Sequence, residues 1–140
     1  MSRWGVVLVV AAALAAPVAA KAEDASVMCL YSMVNVARAM LTHCGEPLDE
    51  EREQKYVLLN QALEDFIRAN GGAIAERIIS HEGAQGSLEQ LRERGQESCR
   101  SGDYPFWKQF ITNLLDDPAA TESIKDKLKT PRDPREGGCL

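Results

Sequence analysis

The residues of this 140-residue chain most able to do chemistry are its four cysteines, Cys29, Cys44, Cys99 and Cys139. Cysteine sulfur can form disulfides, bind metals or act as a nucleophile. A zinc site needs closely spaced ligand pairs, whereas the nearest two cysteines here are fifteen positions apart. An even number of widely spaced cysteines favours two disulfides if the chain is exported, so we predict no cysteine-based metal site.

Helix geometry limits which cysteines can pair. Cys29 and Cys44 lie at the two ends of one predicted helix, about 22 Å apart along its axis, whereas a disulfide joins Cα atoms at most about 7 Å apart. Short turns make successive helices antiparallel, which places Cys44 near Cys99 and leaves Cys29 to pair with Cys139. The alternative joins Cys29 to Cys99, if the chain reverses its direction at residues 83–86.

Two short groups contain the residue types of hydrolases. Ser80, His81 and Glu82 have the chemistry of a catalytic triad, but neighbours on a helix point about 100° apart and cannot form a relay with one another. His43 and Cys44 could be a base and a nucleophilic thiol, although a disulfide would occupy that sulfur. We therefore predict no catalytic residue. An enzyme whose site is scattered along the sequence is the least favoured alternative.

Acidic side chains that could bind calcium occur in two places, a run at residues 49–53 and the pair Asp116 and Asp117. Neither group has the alternating ligands and glycine of a calcium-binding loop. Both stand at predicted helix boundaries, where negative charge at a helix start complements the helix dipole. We therefore predict no metal and no other cofactor.

The best candidate for a binding surface is a cluster of four aromatic residues, Tyr104, Phe106, Trp107 and Phe110. Aromatic side chains dominate protein recognition surfaces. They are also common in hydrophobic cores, so plain core packing is the alternative. A second place for a ligand is the apolar surface of residues 27–44, because some helical bundles enclose a small apolar molecule.

A central helix at about Val27–Cys44 would position these residues. Its side chains are apolar around almost the whole axis, and one narrow stripe of small or polar residues interrupts them, namely Ser32, Asn35, Ala39 and Thr42. A helix this apolar on nearly all sides is normally buried. We therefore predict an all-α fold, a small disulfide-stapled bundle of four to six helices around this central helix.

The surrounding helices are predicted from apolar periodicity and from start and stop signals. They cover about residues 49–70, from Pro105 to about 115, and 119–129. The segment 73–99 contains two short apolar faces separated by Gly83 and Gly86, which predicts two helices with Ser87 capping the second. One kinked helix is the alternative for that segment.

The N-terminal residues have the features of a secretory signal. Arg3 is followed by the apolar run 5–18 and by the small-x-small cleavage pattern at residues 20–22. The run is shorter than the roughly 20 residues that a membrane span needs, which disfavours an uncleaved anchor. We predict a cleaved signal peptide at 1–22, a single helical domain at 23–129 and an extended C-terminal tail at 130–140 that only Cys139 could hold.

Charge and compartment restrict the function. The chain has 16 basic and 21 acidic residues and a formal net charge of −5, and loss of the signal would leave about −7. Negative charge without a basic block argues against nucleic acid and against stable binding to anionic membranes. An alanine- and valine-rich signal is typical of bacteria, which predicts the periplasm, or else secretion.

The function expected from these features is that of a non-catalytic binding protein. An inhibitor or immunity-like protein, a chaperone and an accessory subunit all fit, with another protein as the partner. A carrier of a small or apolar ligand within the bundle is the alternative. The partner and the oligomeric state do not follow from the sequence.

Overall fold

In a computed structural model of the chain, residues 25–139 are described. This part contains six α-helices, α1 at Val27–His43, α2 at Glu50–Asn70, α3 at Ala75–Glu82, α4 at Ala84–Arg94, α5 at Asp103–Asp116 and α6 at Pro118–Lys127. Short 3₁₀ turns at Gly72–Ile74 and Gly95–Cys99 precede α3 and α5. No strand occurs within 25–139, so the predicted all-α, disulfide-stapled bundle is confirmed.

The predicted signal peptide at 1–22 lies outside the described residues. Within residues 25–139, no helix combines the length and the hydrophobicity that a membrane span requires.

Helix α1 forms the centre of the bundle, as predicted. It begins after Ser26, whose hydroxyl oxygen accepts a hydrogen bond from the backbone N–H of Cys29 at 3.1 Å. The side chains of Tyr31, Val34 and Ala37 are fully buried in the main core. Helices α2 to α5 all pack against α1, most extensively α4 and α5. The buried hub therefore follows directly from a sequence that is apolar around the helix axis.

Two helix starts match the capping signals of the sequence. The Asp49 side chain accepts a hydrogen bond from the backbone N–H of Arg52 at 2.9 Å and begins α2. The Asp117 side chain accepts one from Ala119 at 3.0 Å, and Pro118 is the first residue of α6. Each carboxylate satisfies a donor that the first helical turn leaves free.

The segment 73–99 forms two helices, but the second begins earlier than predicted. Helix α4 starts after Gly83, whose backbone is extended at φ −78° and ψ −175°. Ser87 is therefore inside α4 and only 2% exposed, and its hydroxyl donates to the Glu82 carbonyl at 3.2 Å. The prediction that Ser87 caps this helix is wrong, because Gly83 already separates α3 from α4.

Disulfides staple the bundle at both ends of α1. Cys44 pairs with Cys99 at a Cα–Cα distance of 5.5 Å, and Cys29 pairs with Cys139 at 5.4 Å. These are the pairs that antiparallel packing of successive helices favours. The break between α3 and α4 at Gly83 does not bring Cys99 to the end of the bundle that contains Cys29. The alternative pairing of Cys29 with Cys99 is therefore not formed.

The C-terminal tail is held by more than its cysteine. The backbone N–H of Met28 donates to the Pro134 carbonyl at 2.8 Å, and that of Ser26 donates to the Gly138 carbonyl at 2.9 Å. Pro134 is fully buried. The prediction that only Cys139 could hold the tail is wrong, because tail carbonyls satisfy amides at the start of α1 that a helix leaves unpaired.

Candidate binding groove and a buried polar network

Helix α5 distributes the four predicted aromatic residues over different environments. Phe110 is 8% exposed and belongs to the core, while Tyr104 and Trp107 are partly buried. Phe106 is 50% exposed, with its ring centroid 5.1 Å from that of Trp107 and 6.4 Å from that of Phe110. The cluster is thus a core element with one aromatic side chain presented to solvent.

An apolar strip of α1 lies between the two helices that pack on it most closely. Helices α4 and α5 both pack along α1 but make little contact with each other. Met33 and Val36 of α1 remain partly exposed. Val36, Leu88 of α4 and Trp107 of α5 pack against a small second core cluster that consists of Ala39, Met40 and Leu91, while Met33, one turn before Val36, packs against the main core. We call this surface, with Phe106 at its rim, the aromatic groove.

The N-terminal end of α5 also carries a buried hydroxyl, that of Tyr104, which lies near the Glu46 carboxylate. Burial and the negative charge of nearby Glu46 raise the pKa of Tyr104. Glu46 itself forms an ion pair with Lys108. This pairing keeps the loop after α1 against α5.

The nearby connector between α4 and α5 carries a surface depression of about 590 Å³. The side chains that line it are polar or charged, namely Gln96, Glu97, Arg100 and Ser101. It opens to solvent and is not an interior cavity of the bundle.

A fully buried asparagine connects α1 to α2. The Asn35 amide nitrogen donates to the Tyr31 carbonyl at 2.9 Å and to Asn60 Oδ1 at 2.8 Å. Its side-chain oxygen accepts a hydrogen bond from the Tyr56 hydroxyl at 2.5 Å. Every polar atom of the Asn35 side chain thus has a partner, as a buried amide requires.

Glu64 continues this network towards the N-terminal half of α1. Its Oε1 accepts hydrogen bonds from the Tyr31 hydroxyl at 2.8 Å and from Asn60 at 3.2 Å. Burial raises the pKa of Tyr31, and it raises the pKa of Tyr56 to about 12. The two hydroxyls therefore stay protonated and serve as donors.

Arg38 closes the network at the opposite end. Its guanidinium binds Glu53 at 2.7 Å and lies 5.2 Å from the centre of the Tyr56 ring. Because its members are paired with one another, the network sets the position of α1 against α2. The four-residue spacing of Tyr56, Asn60 and Glu64 on α2 was the sequence signal for it.

The hydrolase-like residues do not form a triad. The Ser80 hydroxyl donates to the Arg77 carbonyl at 3.2 Å. Glu82 binds His81 Nδ1 at 2.8 Å through one oxygen and accepts the Ser32 hydroxyl at 2.7 Å through the other. The carboxylate therefore lies between serine and imidazole, whereas a triad needs the imidazole in the middle to take the proton of the hydroxyl.

His43 and Cys44 are not arranged as a base and a nucleophile either. The sulfur of Cys44 is in the disulfide with Cys99. His43 Nε2 lies 2.8 Å from the Gly95 carbonyl oxygen. A carbonyl can only accept, so this nitrogen carries the proton and donates it. His43 thereby ties the end of α1 to the connector that contains Cys99.

The two acidic regions lie close together because both bind the guanidinium of Arg52. Arg52 binds Asp49 at 2.5 Å and Asp116 at 2.8 Å. Hydrogen bonds from Arg52 lower the pKa of both carboxyl groups. In the part of the chain that is described, no three or more histidine, cysteine or acidic side chains are placed to hold a metal. The contact of Arg52 joins the start of α2 to the end of α5.

No family model, no curated protein and no solved structure matches this chain. The geometry of the bundle is therefore the basis for the function proposed below.

Proposed function

We propose that the chain is a non-catalytic exported protein that binds another protein through the aromatic groove. The observation that supports this most is the exposure of Phe106, 50%, beside the partly buried Trp107. A large aromatic side chain left half in water can anchor a partner, because a phenylalanine gains about 1.5 to 3 kcal/mol when it is buried fully. A groove with an aromatic rim resembles the interface centres where binding energy concentrates.

The floor of the groove suits an apolar side chain or helix of the partner. Met33 and Val36 are partly exposed there, and a flexible methionine adapts its shape to what packs against it. The side chains that define the groove are apolar or aromatic, so they offer no charge to bind a charged ligand. The groove therefore favours a partner that inserts apolar residues between α4 and α5.

The two disulfides support an oxidising compartment as the place of action. Together with the export-like N-terminal sequence, they favour the bacterial periplasm, with secretion as the second choice. The acidic charge of the chain is compatible with a basic rim on the partner. It disfavours nucleic acid.

The carrier hypothesis has less support. A carrier would line its cavity with apolar side chains of α1, but Tyr31, Val34 and Ala37 are fully buried in one continuous cluster with residues of α2 and α5. The described depression beside Arg100 is polar and open. Native mass spectrometry of the purified protein separates the two hypotheses, since a carrier would retain a bound apolar molecule.

Phe106→Ser tests the proposed binding surface, and Leu58→Ser is its matched control. Leu58 is even more exposed than Phe106, at 69%, but lies on α2. Affinity capture and titration should show that L58S keeps the partner of the wild-type protein, while F106S loses at least about tenfold in affinity. Equal binding by F106S and the wild-type protein would refute the aromatic groove as the binding site.

A further inference from the structure

We infer that the C-terminal tail is a redox-sensitive strap over one end of the aromatic groove. In this device, reduction of the disulfide between Cys29 and Cys139 releases residues 130–139 while the helices stay folded. The bond differs from the one between Cys44 and Cys99 in its exposure, in what holds its two ends together, and in its position relative to the groove.

The strap lies on the same face of α1 as the floor of the groove. Cys29, Met33, Val36 and Met40 follow one another at spacings of four, three and four, which places them along one stripe of the helix. Met33 and Val36 are the partly exposed floor residues. The tail, bonded to Cys29, therefore covers the next turn of this stripe. Its release would lengthen the groove towards the start of α1.

Within residues 25–139, few interactions other than the disulfide hold the tail. Two backbone hydrogen bonds, to Ser26 and to Met28, and the buried Pro134 attach it to α1. Against these, Nε and Nη2 of Arg132 are buried and have no hydrogen-bond partner within residues 25–139. Burying unpaired charged donors opposes docking. The covalent bond is therefore a large part of what keeps the strap closed.

The disulfide of the strap is also the more accessible of the two. Cys139 is exposed although Cys29 is only 2% exposed, whereas Cys44 and Cys99 are both partly buried. Thiolate attack needs access to a sulfur, and the exposure of residue Cys139 makes its side of this bond the more open one. The leaving sulfur of Cys29 sits in the first turn of α1, where helix amides and the dipole stabilise a thiolate.

The chemistry balances with a dithiol as the reductant. One thiolate of the dithiol attacks the sulfur of Cys139, a mixed disulfide forms, and the sulfur of Cys29 leaves as a thiolate and takes up a proton. The second thiol then attacks the mixed disulfide and releases Cys139 as a thiol. The dithiol becomes a disulfide and the protein gains two thiols.

The second disulfide is protected from the same reaction by its surroundings. If it is reduced, Cys44 remains fixed at the end of α1, and Cys99 remains in a connector that His43 holds through the Gly95 carbonyl at 2.8 Å. Thiols kept adjacent have a high effective concentration and reoxidise readily. The freed tail holds Cys139 near Cys29 only weakly. The two bonds should therefore respond to different reductant concentrations.

Graded reduction of the whole chain with dithiothreitol, followed by alkylation and peptide mass spectrometry, tests this device. We expect Cys29 and Cys139 to be alkylated at a dithiothreitol concentration about tenfold lower than Cys44 and Cys99 require. Over that range, circular dichroism should keep its helical signal. Oxidation of Met28 by dilute peroxide should rise, while that of the buried Met40 should not.

Reduction of both disulfides together, or of the Cys44 bond first, would overturn the inference. So would loss of the helical signal as the tail is released. The variant Cys139→Ser provides a second test, since its Met28 should be oxidised as fast as in the reduced wild-type protein without any reductant. Slow Met28 oxidation in a folded C139S protein would count against the strap.

The claim that the strap affects binding rests on the proposed function of the groove. The claim that reduction releases the tail does not. None of these readouts uses a partner, so a closed strap that resists reduction would leave groove binding untouched. Once a partner is known, C139S and the wild-type protein can be compared in the same titration. Tighter binding by C139S is the expected result, and equal binding would limit the device to tail release.

Discussion

The fully buried Asn35 connects α1 to α2 through hydrogen bonds of its side chain. Its side chain makes three hydrogen bonds, to Tyr31, Asn60 and Tyr56. Asn35→Ala would leave the partners unpaired in a buried place, which costs about 1 to 3 kcal/mol per group. We expect N35A to lower the free energy of unfolding by about 3 kcal/mol, measured by urea denaturation.

Asn113, a polar residue of α5 outside this network, offers the comparison. Because no hydrogen bond of its side chain is part of the α1–α2 contact, N113A should change stability by less than about 0.5 kcal/mol. An N35A protein as stable as N113A would mean that the hydrogen bonds of Asn35 do not contribute to the bundle.

Ionisation of the Tyr56 hydroxyl should lower the stability of the bundle at alkaline pH. Burial raises its pKa from 10.0 to about 12 in the folded state. Because the folded-state pKa is the higher one, this contribution is complete below pH 10 and is lost as the pH rises towards 12. The stability difference between the wild-type protein and Tyr56→Phe should therefore shrink across this interval. Urea denaturation at a series of pH values measures it, and a constant difference would contradict the assignment.

Gly83 stands at the point where α3 ends and α4 begins. A Cβ at this position would lie 2.6 Å from the Tyr31 hydroxyl and 2.4 Å from the Ile79 carbonyl oxygen. Gly83→Ala should therefore force one helix away from the other and cost about 1 to 3 kcal/mol. Gly102→Ala, where a Cβ has open space, is the control and should be close to neutral.

Thermal unfolding compares these two glycine variants. A folded G83A protein with the melting temperature of G102A would show that the close approach of Gly83 to Tyr31 is not needed for the break between the helices.

The start of a helix was predictable where residues within its first turn determine it. Asp49 and the pair Asp117 and Pro118 are capping signals that act within one turn, and both helices start there. The buried hub followed from composition. Ser87 misled because serine resembles a cap in any sequence, while the break falls at Gly83, one of the two glycines that the sequence marked. What the sequence does not show is that the hydroxyl of Tyr31, a residue more than fifty positions earlier, leaves no space for a Cβ there.

The remaining features depend on contacts that are distant in sequence. Docking of the tail needs amides at the start of α1 and the buried Pro134, and composition alone suggests a mobile segment. The exposure of Phe106 depends on how α5 is rotated against α1. A periodic pattern identifies the apolar face of α5 but does not decide which aromatic side chain lies at its edge.

The two disulfides should stabilise the bundle unequally. In the entropic model a bridge across 55 residues contributes about 4 kcal/mol, and one across 110 residues slightly more. Because the tail is weakly docked, we expect the opposite order. The double variant C44S/C99S should lose more unfolding free energy than C29S/C139S in urea denaturation. A larger loss in C29S/C139S would contradict a weakly held tail.

Site-specific photocrosslinking in the producing cell shows directly whether another protein binds over the aromatic groove. A photoreactive phenylalanine analogue replaces Phe106 in one strain and the control residue Leu58 in another. Irradiation should give a discrete covalent adduct with a second protein from position 106 and none from position 58. An adduct from position 58 alone, or none from either position, would mean that the groove is not where a partner binds.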